Sequence, residues 1–262
     1  MLGKLLKHEF KATARLLLPL YIILLVLSIV DRIVLHLDVL QTGALALIPG
    51  IFTFVYVISI IGVIIVTFLL MITRFYKNLL TDEGYLMFTL PVKSHDLINS
   101  KLIVSIVWTI ASIVGVVLSV FIVAATPANM RDFMNVLRDA MAELRNTFGN
   151  GGALLITEFI IMGVIALFYN SLTIYASIAI GQLFNGHKVI GSFAAYMGIS
   201  TVLQILMTLI FAIIAFVFGK SMNEFSAIPN VVFPLTILII TIFSVVFYLI
   251  TNYIFKRKLN LE

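Results

Sequence analysis

The sequence has no cysteine, few charged residues and a single tryptophan. Without cysteine, disulfide bonds, thiolate catalysis and cysteine-ligated metal centres are excluded. Charged residues make up only 11% of the 262 residues and hydrophobic residues make up 62%, whereas a soluble domain is typically about half apolar. This composition, arranged in long uncharged runs, indicates one integral membrane domain and leaves no room for a separate soluble catalytic domain.

Six apolar runs are long enough to cross a bilayer, since about 20 apolar residues suffice. The sequence therefore predicts an all-α integral membrane protein whose single transmembrane domain covers residues 1–262. We place the six spans at residues 16–37, 44–72, 102–125, 153–183, 189–218 and 231–254. The fourth run is long for a straight crossing, so we expect that span to be tilted or broken.

The first 15 residues are basic and amphipathic. Leu2, Leu5, Leu6 and Phe10 follow helical spacing, and the four basic residues of this stretch lie largely off that stripe. Because the stretch leads directly into the first span, it predicts an N-terminal interfacial helix in the headgroup layer over residues 1–15.

Lysine and arginine residues predict the orientation of the chain in the cell membrane. Six spans place both termini on one side, together with residues 73–101 and the turn at 185–188. That side holds 12 of the 17 lysine and arginine residues, so we expect both termini in the cytoplasm. The basic balance then reflects topology and attraction to membrane lipid, and gives no reason to expect nucleic acid as a partner.

An amphipathic helix is predicted outside the cell, in the segment 126–152 between spans three and four. Thr126 suits a helix N-cap and Pro127 the first helical position, and a glycine-rich stretch ends the segment. Apolar residues recur at steps of four and three: Met130, Met134, Leu137, Met141, Leu144 and Phe148. The apolar face suits either the membrane surface or a partner, and the pattern leaves both open.

Enzymatic activity is not expected of this chain. Gly219, Lys220 and Ser221 match the end of a phosphate-binding loop, but Ile214 replaces the first glycine of that motif and no buried strand precedes it. The four histidines show no metal-binding spacing. We therefore expect no cofactor, no metal and no nucleotide hydrolysis in this chain itself.

Polar side chains inside spans suggest where a substrate could pass, because such groups are costly in a bilayer. Glu158 and Asn170 are the possible substrate pathway, although Glu158 is close enough to the outer loop to reach the interface. The amides of Asn170 and Gln204 more often join helices to each other. Asp31 and Arg32 lie near the end of span one, where we expect them at the outer interface.

The longest interruption on the cytoplasmic side, residues 73–101, carries the most specific pattern. It predicts a helix end, a turn at Gly84, a short apolar segment, a second turn at Pro91 and a new helix capped by Ser94. This stretch and the basic leader resemble the permease subunits of ABC transporters of the ABC-2 type. The matching residues are Lys7, Glu9, Phe10, Asp82, Glu83, Gly84, Thr89, Leu90, Pro91, Val92, Ser94, Ser100 and Lys101.

The resemblance implies a coupling helix around Glu83, between spans two and three, that seats in a groove of a separately encoded ATPase. Glu83 would pair with a basic group of that ATPase, and apolar residues after it would fill a cleft. The implied interface comprises Asp82, Glu83, Gly84, Tyr85, Leu86, Met87, Phe88, Leu90, Pro91 and Val92. ATP and Mg²⁺ would bind the ATPase, and two permeases, identical or different, with two ATPases would export an amphipathic, lipid-like or peptide substrate.

Two other functions remain compatible with the sequence. In an ion-coupled secondary transporter or channel, which needs no ATPase, Glu158 and Asn170 would line the path. A membrane anchor or sensor would bind a partner without transport. The chain also departs from the better-known exporters of the family, which carry their main outer segment between spans five and six.

Overall fold

The structure is a computed structural model. It describes residues 2–37, 47–80, 93–149, 151–184, 186–218 and 231–257, and nearly all of these residues are helical. Within these residues there are seven α-helices and no strands. The helices are α1 (Leu2–Leu35), α2 (Leu47–Leu80), α3 (Ser94–Ala124), α4 (Pro127–Phe148), α5 (Gly151–Gly181), α6 (Lys188–Phe218) and α7 (Phe233–Arg257).

All the described helices except α4 are long and apolar enough to cross a membrane, so the expected number of six candidate spans is confirmed. Several of them exceed the bilayer. Helix α2 has 34 residues and is about 51 Å long at about 1.5 Å per residue, against about 30 Å of hydrocarbon. Its basic residues Arg74 and Lys77 lie near its end, so this end extends beyond the apolar layer. Helix α5 contains no break.

The leader does not form a helix of its own. Residues 2–15 continue without interruption into the first span as α1. Leu6 and Phe10, from the stripe predicted to face the headgroups, pack instead against the protein core. The helix has no break at residue 16, because the helical spacing of the leader runs on in phase with that of the span. The position of the leader in the headgroup layer stays a prediction.

Both ends of α4 have the predicted local structure. The backbone N–H of Asn129 donates to Thr126 Oγ1 (3.2 Å), which confirms Thr126 as the cap, and Pro127 is the first helical residue. At the other end Gly149 adopts a positive φ of 54°, and its N–H donates to the carbonyl of Arg145 (2.9 Å). A left-handed glycine of this kind ends many helices.

Contacts divide the chain into two compact units. Unit 1 comprises Met1–Arg74 and Asn99–Asn135, and unit 2 comprises Phe75–Ile98 and Val136–Glu262. In unit 1, helices α1, α2 and α3 share one core, which buries Leu17, Tyr21, Leu24, Tyr56, Val63, Met71, Val104 and Trp108. Many apolar side chains on the other faces of these helices are exposed, as expected where a helix meets lipid.

In unit 2, α5 packs against both α6 and α7. The turn between α5 and α6 brings Gly181 against Ser192, so closely that a Cβ atom on Gly181 would lie 2.4 Å from the Ser192 backbone nitrogen. Only glycine fits at this position. The close approach fixes the angle at which α6 leaves α5, and thereby the surface that these two helices form together.

Candidate coupling and substrate sites

The predicted coupling segment lies outside the described residues, and this holds for every residue of the implied ATPase interface from Asp82 to Val92. The helices on either side of it are described. Phe75 and Leu79, near the end of α2, are both fully buried. The apolar face at this end of α2 therefore packs inside the protein.

Phe75 forms an aromatic stack within unit 2. Its ring lies parallel to that of Tyr175 on α5, with 3.7 Å between centroids and 6° between planes. The ring of Phe255, on α7, lies 5.7 Å from Phe75. On the other side of the coupling segment, the Ser94 hydroxyl of α3 donates to Asn252 Oδ1 of α7 (3.4 Å). Both flanks of residues 81–92 are therefore attached to α7, and one of them also to α5.

Helix α5, which carries the tyrosine of this stack, also borders a groove between α5 and α6. The groove has a volume of about 380 Å³. Tyr175 is two residues from Thr173, which lines the groove, so it lies about 3 Å further along the helix axis and about 200° round it, on a different face of α5. Hydroxyl and amide groups make up its polar lining: Tyr169, Asn170, Thr173, Tyr196, Ser200 and Gln204. No charged side chain is among the described residues that line it.

The side-chain amides of Asn170 and Gln204 do not join α5 to α6 by a hydrogen bond, although such amides were expected to connect helices. Neither the Asn170 nor the Gln204 side chain has a hydrogen-bond partner among the described residues. Both side chains are exposed to the groove side of their helices. Their donors and acceptors are thus available to a ligand in an environment where an unsatisfied polar group is costly.

Glu158 does not line this groove. It precedes Asn170 by 12 positions on α5, which is about 18 Å along the helix and about a third of a turn round its axis. Glu158 is half-buried, and its Oε2 atom has no hydrogen-bond partner among the described residues. The two residues predicted as one pathway are therefore separated, and of the two it is Asn170 that lines this groove.

No family model, curated protein or solved structure matches the chain.

Unit 1 contains a series of buried polar contacts that the sequence did not reveal. Lys101 on α3 forms an ion pair with Glu9 on α1, and both side chains are more than nine-tenths buried. One helical turn further along α1, Thr13 Oγ1 accepts a hydrogen bond from Trp108 Nε1 (2.8 Å). Tyr21 follows, and its hydroxyl donates to the carbonyl of Trp108 (3.3 Å). These contacts join α1 to α3.

Sequence reasoning had singled out both residues of this ion pair, but it could not show that they contact each other. Glu9 and Lys101 are both among the residues on which the resemblance to ABC-2 permeases rests, and each lies next to a predicted span. The two residues are 92 positions apart, and helical periodicity relates only residues within a few turns of each other. Their direct contact is therefore a finding of the fold.

At the other end of α1, Asp31 and Arg32 form hydrogen bonds with neighbouring parts of unit 1. Asp31 is fully buried, where its Oδ1 atom accepts a hydrogen bond from the Thr53 hydroxyl of α2 (3.0 Å). Its Oδ2 atom has no partner among the described residues. Arg32 donates to the carbonyl of Ile122 (3.0 Å), in the last turn of α3, and to that of Ala125 (2.8 Å), the residue after α3. Helix α2 thus covers Asp31, and its position at the depth of the outer interface stays a prediction.

The described residues contain no cluster of three or more histidine, aspartate or glutamate side chains that could hold a metal ion.

Proposed function

We propose that this chain is the membrane-spanning permease subunit of an ABC exporter, located in the cell membrane with both termini in the cytoplasm. A separate ATPase subunit supplies the energy, and a second permease, identical or different, completes the pore. The observation that supports this proposal best is the attachment of both flanks of residues 81–92 to α7. Phe75 contacts Phe255 on that helix, and Ser94 contacts Asn252.

This attachment suits a segment that receives a mechanical input. A loop held at one end would yield locally when a partner pushes on it, whereas a loop held at both ends transmits the displacement to the helix that holds it. In unit 2 the same aromatic ring that contacts α7 also stacks on Tyr175 of α5. Movement at residues 81–92 would therefore be passed to α5, which lines the groove.

The groove supports an amphipathic substrate with an uncharged polar part. Its hydroxyl and amide groups offer hydrogen bonds to a neutral headgroup or a peptide backbone, and two tyrosines, Tyr169 and Tyr196, offer ring faces. A charged headgroup would find no opposite charge among the described lining residues, and this would be unfavourable within a bilayer. Asn170 and Gln204 are the residues that we assign to substrate contact.

Copurification with the ATPase tests the coupling interface. The bait is the full chain, and the candidate partner is a soluble ATPase encoded next to it that carries a phosphate-binding loop. We expect Glu83→Ala to lose binding or to uncouple ATP hydrolysis from transport, because the carboxylate would no longer pair with a basic group of the ATPase. Glu143→Ala is the matched control, since it removes an exposed acid of α4, on the opposite predicted side.

Normal assembly and normal coupled transport in the Glu83→Ala variant would disprove the coupling role. A second variant tests the connection to the groove: Phe75→Leu keeps an apolar side chain but removes the stack on Tyr175. We expect this variant to bind the ATPase and to lose substrate-stimulated ATP hydrolysis. Phe121→Leu, at an exposed position of α3, should leave both properties unchanged.

Ion-coupled transport is the second candidate function, and Asp31 favours it. A fully buried carboxylate with one unpaired oxygen among the described residues is the kind of group that binds a coupling ion in secondary transporters. The purified chain alone in liposomes would then move substrate in response to a sodium or proton gradient. Transport under these conditions that is lost in Asp31→Asn would replace the ABC assignment, and absence of transport without an ATPase would exclude this alternative.

A further inference from the structure

Helix α4 is connected to a span at each end by only two residues. It begins at Pro127, directly after α3 ends at Ala124, and it ends at Phe148, just before α5 begins at Gly151. Because α4 does not itself span the membrane, these two spans meet the same face of the bilayer at these ends. A helix of 22 residues, about 33 Å long, that is tied to this face at both ends must lie along it.

One side of α4 is apolar and uncovered by the described parts of the chain. The helix has no buried residue, and the most exposed large apolar side chains on it, between 43% and 65% accessible, are Phe133, Met134, Val136, Leu137 and Met141. At about 100° per residue they occupy roughly half of the helix circumference. An apolar face of this extent on a helix at the membrane boundary requires an occupant.

The charges of α4 identify the chemistry of that occupant. Arg131, Arg138 and Arg145 recur every seven residues, so they form a row within about 40° of each other that borders the apolar face. The acidic residues form a separate row about 120° further round, which comprises Asp132, Asp139 and Glu143. No arginine of this row forms an ion pair with a described residue. No residue of opposite charge lies three or four positions from any of them.

A second copy of α4 does not fit this charge pattern. If two copies paired antiparallel through their apolar faces, the arginine rows would lie against each other and repel. If they paired in parallel, each arginine row would lie against Phe133, Ala140 and Thr147, which offer no negative charge. A phospholipid surface offers both an apolar layer for the apolar face and negative charge for the arginine row. Its phosphates lie at the depth where arginine side chains extend from a helix whose apolar face is in the acyl region.

We propose that α4 is a lipid-binding helix that lies in the headgroup layer of the membrane. Its apolar face is immersed at the acyl boundary, the row Arg131, Arg138 and Arg145 binds phospholipid phosphates, and the acidic row faces water. This inference stands independently of the ABC assignment.

Because the chain has no cysteine, single cysteines can be introduced and labelled without any background. Two pairs of positions, each two residues and about 200° apart, place a label on opposite faces of α4: Met134→Cys with Asp132→Cys, and Met141→Cys with Asp139→Cys. The full chain in phospholipid vesicles would carry an environment-sensitive fluorophore at one of these positions. Quenching by lipids with a shallow spin label is compared with quenching by iodide in water.

We expect labels at Met134 and Met141 to be quenched by the lipid at least about twofold more than labels at Asp132 and Asp139, and the reverse for iodide. Equal access of iodide to all four positions would show a solvated helix and would overturn the proposal. Protection of Met134 and Met141 from both quenchers would show a protein partner or a second copy on the apolar face, and would overturn it as well.

The arginine row has its own test. In vesicles that contain phosphatidylglycerol, we expect stronger lipid quenching at Met134 than in purely zwitterionic vesicles. This dependence should be lost when all three arginines of the row are changed to glutamine, and kept when Asp132 and Asp139 are changed to asparagine. An unchanged dependence in the glutamine variant would show that the arginines do not bind lipid phosphate.

Discussion

Removing one member of the buried ion pair between Glu9 and Lys101 should destabilise unit 1 strongly, and removing both should not. The side chain of Lys101 is 5% exposed and that of Glu9 is 9% exposed, so neither charge can turn to water when its partner is lost. Breaking a buried pair in this way costs about 3 to 5 kcal/mol of unfolding free energy, whereas replacing both members by neutral groups of similar volume is close to neutral.

The perturbations are Glu9→Gln, Lys101→Met and the double variant. We expect each single change to lower the unfolding free energy by about 3 to 5 kcal/mol, and the double variant to lie within about 1 kcal/mol of the unchanged protein. Lys7→Met, which removes an exposed lysine of the same helix, is the control and should change stability by less than about 0.5 kcal/mol. These differences should persist in high salt, because the pair is shielded from solvent.

Unfolding by a denaturing detergent can be followed through the fluorescence of the single tryptophan. Trp108 is well placed to report on unit 1, since its Nε1 donates to Thr13 (2.8 Å) and its ring lies 6.0 Å from that of Tyr21. The reasoning is refuted if the effects of Glu9→Gln and Lys101→Met simply add in the double variant. It is also refuted if each single change costs less than about 1 kcal/mol, since such a result is typical of a solvated surface pair.

Three further substitutions test the packing of the helices, with the unfolding free energy as the measurement in each. Gly181→Ala should lose about 1 to 3 kcal/mol, because its Cβ would meet the Ser192 backbone at 2.4 Å. The control Gly198→Ala, with open space around it, should show no such loss. Equal losses in the two variants would contradict the close approach. Arg32→Met should lose about 1.5 to 3 kcal/mol, because the carbonyls at the end of α3 lose a charged donor; no loss would show that water replaces it. Tyr56→Phe should lose about 1 kcal/mol with its hydrogen bond to Ser119 (3.1 Å), and a stabilised variant would argue against that bond.

The features that the sequence predicted correctly are local ones. Hydropathy over about 20 residues identifies a span, and the cap of α4 depends on Thr126 and Pro127 alone. The pairing of Glu9 with Lys101, the burial of Asp31 and the inward packing of Phe75 depend on which helices become neighbours. Periodicity within one helix carries no information on that choice, so these contacts could not be derived before the fold was known.

The leader also shows that helical spacing does not reveal which surface a helix face contacts. A basic amphipathic stretch before a span has the same helical spacing whether its stripe faces headgroups or a neighbouring helix. Leu6 and Phe10 pack against the core of unit 1, and the burial of Glu9 on the same helix requires α3 beside it. The partner of a helix face thus decides its environment, and a single sequence does not name that partner.

The distribution of satisfied and unsatisfied polar groups separates a supporting role from a functional one. In unit 1, the buried polar side chains of α1 have partners, as in the contacts of Glu9 and Thr13 with α3, apart from one oxygen of Asp31. Paired polar groups in a membrane hold helices in one arrangement. In unit 2, the amides of Asn170 and Gln204 are without partners among the described residues, so a ligand would satisfy groups that the fold leaves open.

Unit 2 also contains both flanks of the predicted coupling segment, through Phe75 on one side and Ser94 on the other. The stack of Phe75 on Tyr175 connects the end of α2 to α5, which borders the groove, within this unit. If this link carries the coupling, a label near the groove should respond to ATPase binding in the unchanged chain and not in Phe75→Leu. A response of equal size in both would mean that the signal reaches α5 by a route other than the aromatic stack.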